Sequence, residues 1–415
     1  VGIVVTKLRL DSWKSIAGYL DRSSRTVQRW HAHNELPVHH FGGSKGSVFA
    51  YAEEIDRWQL SLAGVSQNED ADEENAQEER ARRSRELTTR ALEMWETRSE
   101  QNLNTIAGLC RKAIELDPGN TRALAGLADA MIASALVGVI DGSIAHPCAM
   151  EALRRTAQLD PEDVDGKCSA AWLSMVYEHK WRQARMHFEE VLTRHPRKSF
   201  ALGGRALLHI AEGDTSEAIK RAWEAWRQNT LVCSLGALVC WTHYLAGDFE
   251  QALELTAQVR ASGGCGTWIG EIEALILIQL GPAVETIARV EAMVEEYPQS
   301  RTLKGILGYV YASQKHAGKA WEILRNLEQA RGQKKNDAYA LALISMGLEM
   351  RQDAARWLEA AYAEGAIWSL GFRCDPILRQ MEGDVRFETL LRKIGTTAGN
   401  VVQTSAPFER LIRAM

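Results

Sequence analysis

Leu303-Lys304-Gly305-Ile306-Leu307-Gly308-Tyr309-Val310-Tyr311, followed by Ala317-Gly318-Lys319-Ala320-Trp321-Glu322-Ile323-Leu324, reads as two short amphipathic helices, each with a small residue at its middle, Gly308 and Ala320. Both positions recur at a spacing of 34 residues. Ala320 belongs to the series Ala184, Ala218, Ala252, Thr286, Ala320, Ala354, and Gly308 to the series Ala206, Cys240, Ala274, Gly308, Ala342. Every member of the first series has a partner position four residues on, along the same helix. Two small positions per unit, one on each helix, let an antiparallel pair pack closely, and neither helix could bury its apolar stripe alone. The spacing therefore predicts a stack of helix pairs.

Working outward from this core, proline marks earlier helix ends in Glu115-Leu116-Asp117-Pro118, Gln158-Leu159-Asp160-Pro161 and Arg194-His195-Pro196, because the residue before a proline avoids the helical region. Between Ile106 and Ala149 the spacing stretches to 43, and Gly138-Val139-Ile140-Asp141-Gly142 marks the extra residues as a loop. Gly213-Asp214 and Gly247-Asp248 stand at turns between helices, where glycine takes positive φ cheaply. About eight pairs are expected over 87–365. Met94 and Trp172 occupy places where a small residue is expected. Asp375-Pro376-Ile377-Leu378 and Asp384-Val385-Arg386-Phe387 predict a final helical cap over 366–394, with a loose tail at 395–415.

The best unit, Leu307-Gly308-x-x-Tyr311 with Ala320 and Leu324, resembles the tetratricopeptide repeat. That resemblance implies a long concave surface able to hold an extended peptide or a partner helix.

Residues 1–62 differ in texture. Ser12 caps a short helix through Leu20 with an Ile16/Leu20 apolar edge. After a turn at Asp21-Arg22, Ser23 caps a second helix, Ser24-Arg25-Thr26-Val27-Gln28-Arg29-Trp30, with Val27 and Trp30 inward and the polar residues on or flanking the outer face. Leu36 to Phe41 and Ser47 to Tyr51 flank Gly42-Gly43-Ser44-Lys45-Gly46 as a hairpin, and a closing helix starts at Glu53. Trp13-Lys14-x-Ile16-Ala17-x-Tyr19-Leu20, Ser23-x-Arg25-Thr26-Val27-Gln28-Arg29-Trp30, Leu36-Pro37-Val38 and Gly46-Ser47-Val48-x-Ala50-Tyr51 resemble the MerR/excisionase-type winged helix-turn-helix. The resemblance implies duplex-DNA contacts for Lys14, Ser24, Arg25, Thr26, Gln28, Arg29 and wing Lys45. It departs at Asn34-Glu35, where the family has glycine before Leu-Pro; Asn34 is expected to supply the positive φ. Arg25 and Arg29, one turn apart, suit phosphate or guanine, and Gln28 suits adenine.

The expected fold is all-α dominated: a winged helix-turn-helix domain (1–62), an acidic linker or solvated helix (63–86), and a tetratricopeptide repeat α-solenoid. The combination resembles bacterial regulators that place a winged domain before such an array. Some of those carry a membrane span or a cyclase domain, and this sequence shows neither.

The bulk properties narrow the function. A net charge of -5 excludes nonspecific coating of nucleic acid or an anionic membrane, so DNA binding must be local. Residues 1–62 hold eight Lys/Arg against six acids, which predicts modest affinity for one domain and a homodimer on two half-sites. Seven scattered cysteines without a Cys-x-x-Cys pair predict a reducing cytoplasm. Apolar runs are too short for a membrane span, and a start at Val1 fits either a shortened chain or a valine codon read literally. His31-x-His33 and His39-His40 lack further ligands for zinc, and Ser262-Gly263-Gly264-Cys265-Gly266 lacks Gly-Lys-Ser/Thr. No catalytic set stands out, so no cofactor, metal or enzyme activity is expected. The tryptophans of the array, such as Trp172, Trp241 and Trp268, are read as core more than as a ligand cage. The function expected is transcription regulation in the cytoplasm, with a peptide or protein effector on the array. The alternative is a scaffold or adaptor that does not bind DNA.

Overall fold

The computed structural model describes residues 8–41, 47–96, 101–261, 266–281, 283–331 and 337–395. The chain divides into two compact units, Val1–Arg82 and Arg83–Met415.

In the first unit, strand β1 (Arg9–Leu10) precedes helices α1 (Trp13–Tyr19) and α2 (Ser24–His33). Ser12 and Ser23 cap them by accepting from the Ser15 and Thr26 amides at 3.0 and 3.2 Å. Strands β2 (His39–His40) and β3 (Val48–Tyr51) follow, then helix α3 (Ala52–Glu96). β3 is the central strand of an antiparallel sheet ordered β1-β3-β2, so the expected hairpin gains a third strand from residues before α1. Ile16, Val27, Leu36, Ala50 and Ile55 form the core, with Trp13, Trp30 and Trp58 packed against it. The positive φ before Leu36 falls on Glu35 (53°), while Asn34 stays at -126°. Asn34 still belongs to the end of α2, its amide donating to the Trp30 carbonyl at 2.7 Å, and the left-handed residue comes one position later. Residues 63–86 lie within α3, where Arg82 and Glu79 pair three residues apart at 2.6 Å.

Among the described residues the second unit is built of eight antiparallel helix pairs. The last turns of α3 pair with α4 (Leu103–Leu116), and α5 (Thr121–Leu136) pairs with α6 (Gly142–Leu159). Then come α7 (Val164–Val176) with α8 (Trp181–Arg194), α9 (Ser199–Glu212) with α10 (Thr215–Gln228), and α11 (Cys233–Ala246) with α12 (Phe249–Ala261). The series closes with α13 (Thr267–Leu280) and α14 (Ala283–Glu296), α15 (Arg301–Ser313) and α16 (Ala317–Ala330), and α17 (Ala338–Gly347) and α18 (Arg351–Ala363). This is a tetratricopeptide-type α-solenoid.

Its small positions lie at the contacts. Ala184, Ala218, Ala252, Ala320 and Ala354 are all 0% exposed and Thr286 4%. A Cβ on Gly308 would lie 2.7 Å from the Ile344 side chain, so glycine alone lets α15 and α17 approach this closely. Gly213 and Gly247, at φ 86° and 88°, end α9 and α11 in the left-handed conformation. Tyr311 is buried and donates to Glu291 of α14, in the preceding pair. In the first pair the buried small residue is Ala91, one turn before the half-buried Met94. Trp172 is accommodated by stacking on Phe200 at 4.7 Å.

The C-terminal segment departs from the expected terminal cap. Two 3₁₀ turns, Ile367–Gly371 and Pro376–Met381, and helix α19 (Val385–Leu391) do not simply extend the stack. They fold back over the first helices of the preceding pairs. Trp368 lies edge-on to Trp241 of α11 at 5.4 Å and stacked on Tyr339 of α17 at 5.5 Å. Trp181 of α8 donates to the Lys393 carbonyl at 3.1 Å, and just before the segment Tyr362 of α18 stacks on His179, in the turn between α7 and α8, at 4.0 Å. The physical reason is burial. Trp368, Leu370, Phe372, Ile377 and Leu378 sit in turns too short to shield one another, and all are nearly inaccessible against the array. The tail beyond residue 395 lies outside the described residues.

Candidate functional site

Two places concentrate exposed or unusual chemistry, one in each unit. In the first, α2 follows α1 through a tight turn at Asp21, whose φ is 51°. The helix buries Val27 and half-buries Trp30, which contacts Trp58 at 5.7 Å. Rotation of 100° per residue then sends Arg25, Gln28 and Arg29 outward, and all three are exposed. None of them forms an ion pair or hydrogen bond among the described residues. Lys14 on α1 is likewise exposed and without such a partner. Ser24 is half-buried, and the Thr26 hydroxyl is engaged with the Ser23 cap at 2.8 Å. Lys45 and its glycine-rich turn lie outside the described residues.

Three carboxylates of the unit are engaged with other groups. Asp11 pairs with Arg9 at 2.7 Å, Glu54 with His39 at 2.6 Å, and Asp56 accepts from the Tyr19 hydroxyl at 2.9 Å. That last bond raises the Tyr19 phenol above its ordinary range. The α2 guanidiniums are left with their charge turned to solvent, at a spacing suited to phosphate oxygens or to a guanine edge. Of the histidines considered for zinc, His31 bonds the Leu36 carbonyl at 2.9 Å and His39 faces Glu54. Arg9, absent from the sequence-derived set, lies over Phe41 and Phe49 at 5.5 and 5.4 Å. It belongs to β1, which carries no pattern long enough to announce a strand.

In the second unit, the returning segment is pinned by a buried acid. Asp375 accepts from the Tyr244 and Tyr339 hydroxyls, each at 2.8 Å, and from the Ile377 amide at 3.0 Å. Burial pushes its carboxyl upward against the lowering effect of these donors, and it pushes both phenols well above their usual range. Between the segment and the first helices a cavity of about 560 Å³ remains. Trp172, Phe200, Trp268, Tyr339 and Trp368 supply its aromatic wall, and Glu271, Ser300 and Arg301 its polar one. The Glu271 carboxylate accepts from the Ser300 hydroxyl at 2.6 Å, and Arg301 stands 2.7 Å from Asp337, which is 0% exposed. Of the tryptophans read as core, Trp241 is buried and Trp172 and Trp268 line this space. The readable signals for it were the long loop after α5 and the misfit of Trp172. The loop Ser262 to Cys265 lies outside the described residues. Among the described residues no helix is long and apolar enough to cross a membrane.

No protein-family model matches the chain, and no curated protein matches it. Among solved structures the chain is similar to Cut9–Hcn1 of the APC/C hetero-tetramer, at 14% identity over 74% of this chain with a TM-score of 0.48. It spans 55% of the chain matched there. A tetratricopeptide repeat protein from Parabacteroides merdae is 14% identical over 63% of this chain and 99% of its own, with a TM-score of 0.43. YrrB, described as a TPR protein with an unusual peptide-binding site, is 16% identical over 49% of this chain and 99% of its own, with a TM-score of 0.33. These are likenesses of fold alone.

Proposed function

We propose that the first unit is a winged helix-turn-helix of the MerR/excisionase type that docks α2 on duplex DNA, and that the repeat array serves as an association platform for a regulatory protein, a peptide or a second copy of the chain. On this reading the protein is a bacterial transcription regulator of the cytoplasm that acts by association rather than by a chemical step. The observation that supports it is the outward row of Arg25, Gln28 and Arg29, unpaired among the described residues, on the helix that follows the turn. Lys14, Ser24 and Thr26 flank that row, and Lys45 is assigned to the wing. A dimer held by the array would present two such helices to one operator and raise affinity without new base contacts.

The test is fluorescence anisotropy of the full chain on DNA fragments selected from a random pool. Three phosphate contacts give a slope of about -2.7 in log affinity against log salt, so about 40-fold weaker binding at 200 than at 50 mM. Arg25→Ala/Arg29→Ala is expected to flatten that slope by about two contacts and to cost about 1–3 kcal/mol for each base-reading arginine. Unchanged binding in the double variant removes α2 from the interface.

A second reading, a scaffold that has no DNA partner, is favoured by the array itself, which makes up most of the chain and has its own continuous core. It predicts that no selected fragment binds at low salt while partner capture by the array survives the double substitution.

A further inference from the structure

The two departures of the array from its 34-residue period meet at one place. The loop after α5 (Val137 to Asp141) and the start of the returning segment (Gly365 to Trp368) face the first turns of α9, α11, α13 and α15 across the cavity of about 560 Å³. A regular stack of helix pairs leaves an open concave face on which an extended peptide can lie. Here the returning segment stands on that ground. What remains is a partly enclosed chamber, within the range of about 300–1,000 Å³ that takes small ligands.

The wall has an apolar part and a polar part. Leu136, Trp172, Phe200, Leu207, Leu238 and Trp368 make the first. Trp172 is stacked on Phe200 at an interplanar angle of 15°, and Trp368 on Tyr339 at 14°. The polar tips of two of these rings are already taken, since the Trp172 indole N–H donates to the Phe200 carbonyl at 3.2 Å and the Tyr339 hydroxyl to Asp375 at 2.8 Å. Both rings therefore turn apolar faces to an occupant, in positions fixed before it arrives.

In the polar part the charged side chains are engaged within the protein. Asp141 accepts from the Ser143 amide at 2.8 Å and its hydroxyl at 2.6 Å, Glu271 accepts from the Ser300 hydroxyl at 2.6 Å, and Arg301 lies 2.7 Å from Asp337. None of these three is free. The first turns of the four helices add partial positive charge to the same wall as the two carboxylates. Charge of both signs thus borders the chamber, and an ionic ligand would give up its hydration there without gaining a counter-ion of its own. The groups still open are neutral. Ser234 and Thr302 line the chamber half-buried, and their hydroxyls form no hydrogen bond among the described residues.

We propose that this chamber binds a neutral small molecule, an apolar or aromatic body that carries a hydroxyl, carbonyl or amide group. The body packs on the Trp172, Phe200 and Trp368 surfaces, and the polar group meets the hydroxyl of Ser234 or Thr302. The proposal is independent of DNA binding. It makes the array a receptor for a small molecule, in addition to any macromolecular partner.

The experiment is isothermal titration calorimetry of the full chain at pH 7 with three matched probes, phenylbutanol, phenylbutylamine and phenylbutyrate, of which only the first is uncharged. The alcohol is expected to bind at least about tenfold tighter than either ion. Val139→Trp fills the chamber from the loop and Ser234→Phe from α11, and each should abolish binding. Circular dichroism establishes folding, and the loop variant alters no repeat helix, so it decides the matter if Ser234→Phe does not fold. Ser234→Ala/Thr302→Val should weaken the alcohol by about threefold or more. The proposal is overturned if either ion binds as tightly as the alcohol, if no probe binds at about 10 mM, if Val139→Trp retains the alcohol's affinity, or if the double variant leaves it unchanged.

Discussion

Replacing Asp375 by alanine should loosen the returning segment from the array. The carboxylate takes both tyrosine hydroxyls at 2.8 Å and caps the turn through the Ile377 amide at 3.0 Å. Tyr244 is 0% exposed and Tyr339 3%, so neither hydroxyl can turn to water once the acceptor is gone. Two buried hydroxyls without a partner cost about 1–3 kcal/mol each, and the lost cap adds about 1 kcal/mol. Against this, removing a buried acid relieves its own desolvation, which is what raises its pKa in the native protein. The net expectation is a loss of about 3–5 kcal/mol, summed from these contributions. Asp375→Asn retains one carbonyl acceptor and should cost about half as much. Urea unfolding followed by circular dichroism measures the loss. Hydrogen exchange of residues 367–381 locates it, since repeats communicate only with what they touch. If Asp375→Ala unfolds within about 0.5 kcal/mol of the parent and those amides keep their protection, the segment is not held by this contact and the reasoning fails.

Gly308→Leu should drive α15 from α17, because even a Cβ would stand 2.7 Å from Ile344; a destabilisation of about 1–3 kcal/mol, with exchange rising over residues 300–346 and little change near α9, is the expected pattern. Ala320→Leu should act similarly from α16, which pairs with α15, and unaltered protection at 300–330 would contradict the assigned contact. His179, stacked under Tyr362, has its imidazole pushed down to about 4 by burial, whereas the unfolded chain titrates near the ordinary 6.5. The unfolded state then binds more protons between those values. Stability is full above pH 6.5 and falls as pH drops toward 4, by roughly 3 kcal/mol for this residue. Asp375, raised by burial, pulls the other way at acid pH, so the measurement is the difference between the parent and His179→Asn. Asparagine tolerates the local φ of 54°, and the variant should show a flatter stability profile between pH 6.5 and 4.

Legibility followed the range of the interactions. Helix pairing could be read because small residues at 184, 218, 252, 320 and 354 repeat in the sequence what repeats in space, and each pair packs on its neighbour. The outward face of α2 could be read for a similar reason: Val27 and Trp30 place the core, and a 3.6-residue period then places Arg25, Gln28 and Arg29. Turn geometry was legible only in part. A left-handed residue was required before Leu36, and it falls on Glu35, one position after the asparagine that the residue type suggested.

What the sequence by itself determined is thus the array, its register and the exposed row on α2. Only the tertiary structure decided where the last residues go. Asp375 meets Tyr244 across 131 positions and Trp181 meets Lys393 across 212, and contacts of that span leave no period in the chain. Their driving force is the burial of aromatic and aliphatic side chains that the 3₁₀ turns cannot cover themselves, so any large enough apolar face would satisfy the local pattern. The face they found is that of the first helices, and its occupation is what leaves a chamber where the repeats alone would leave a groove.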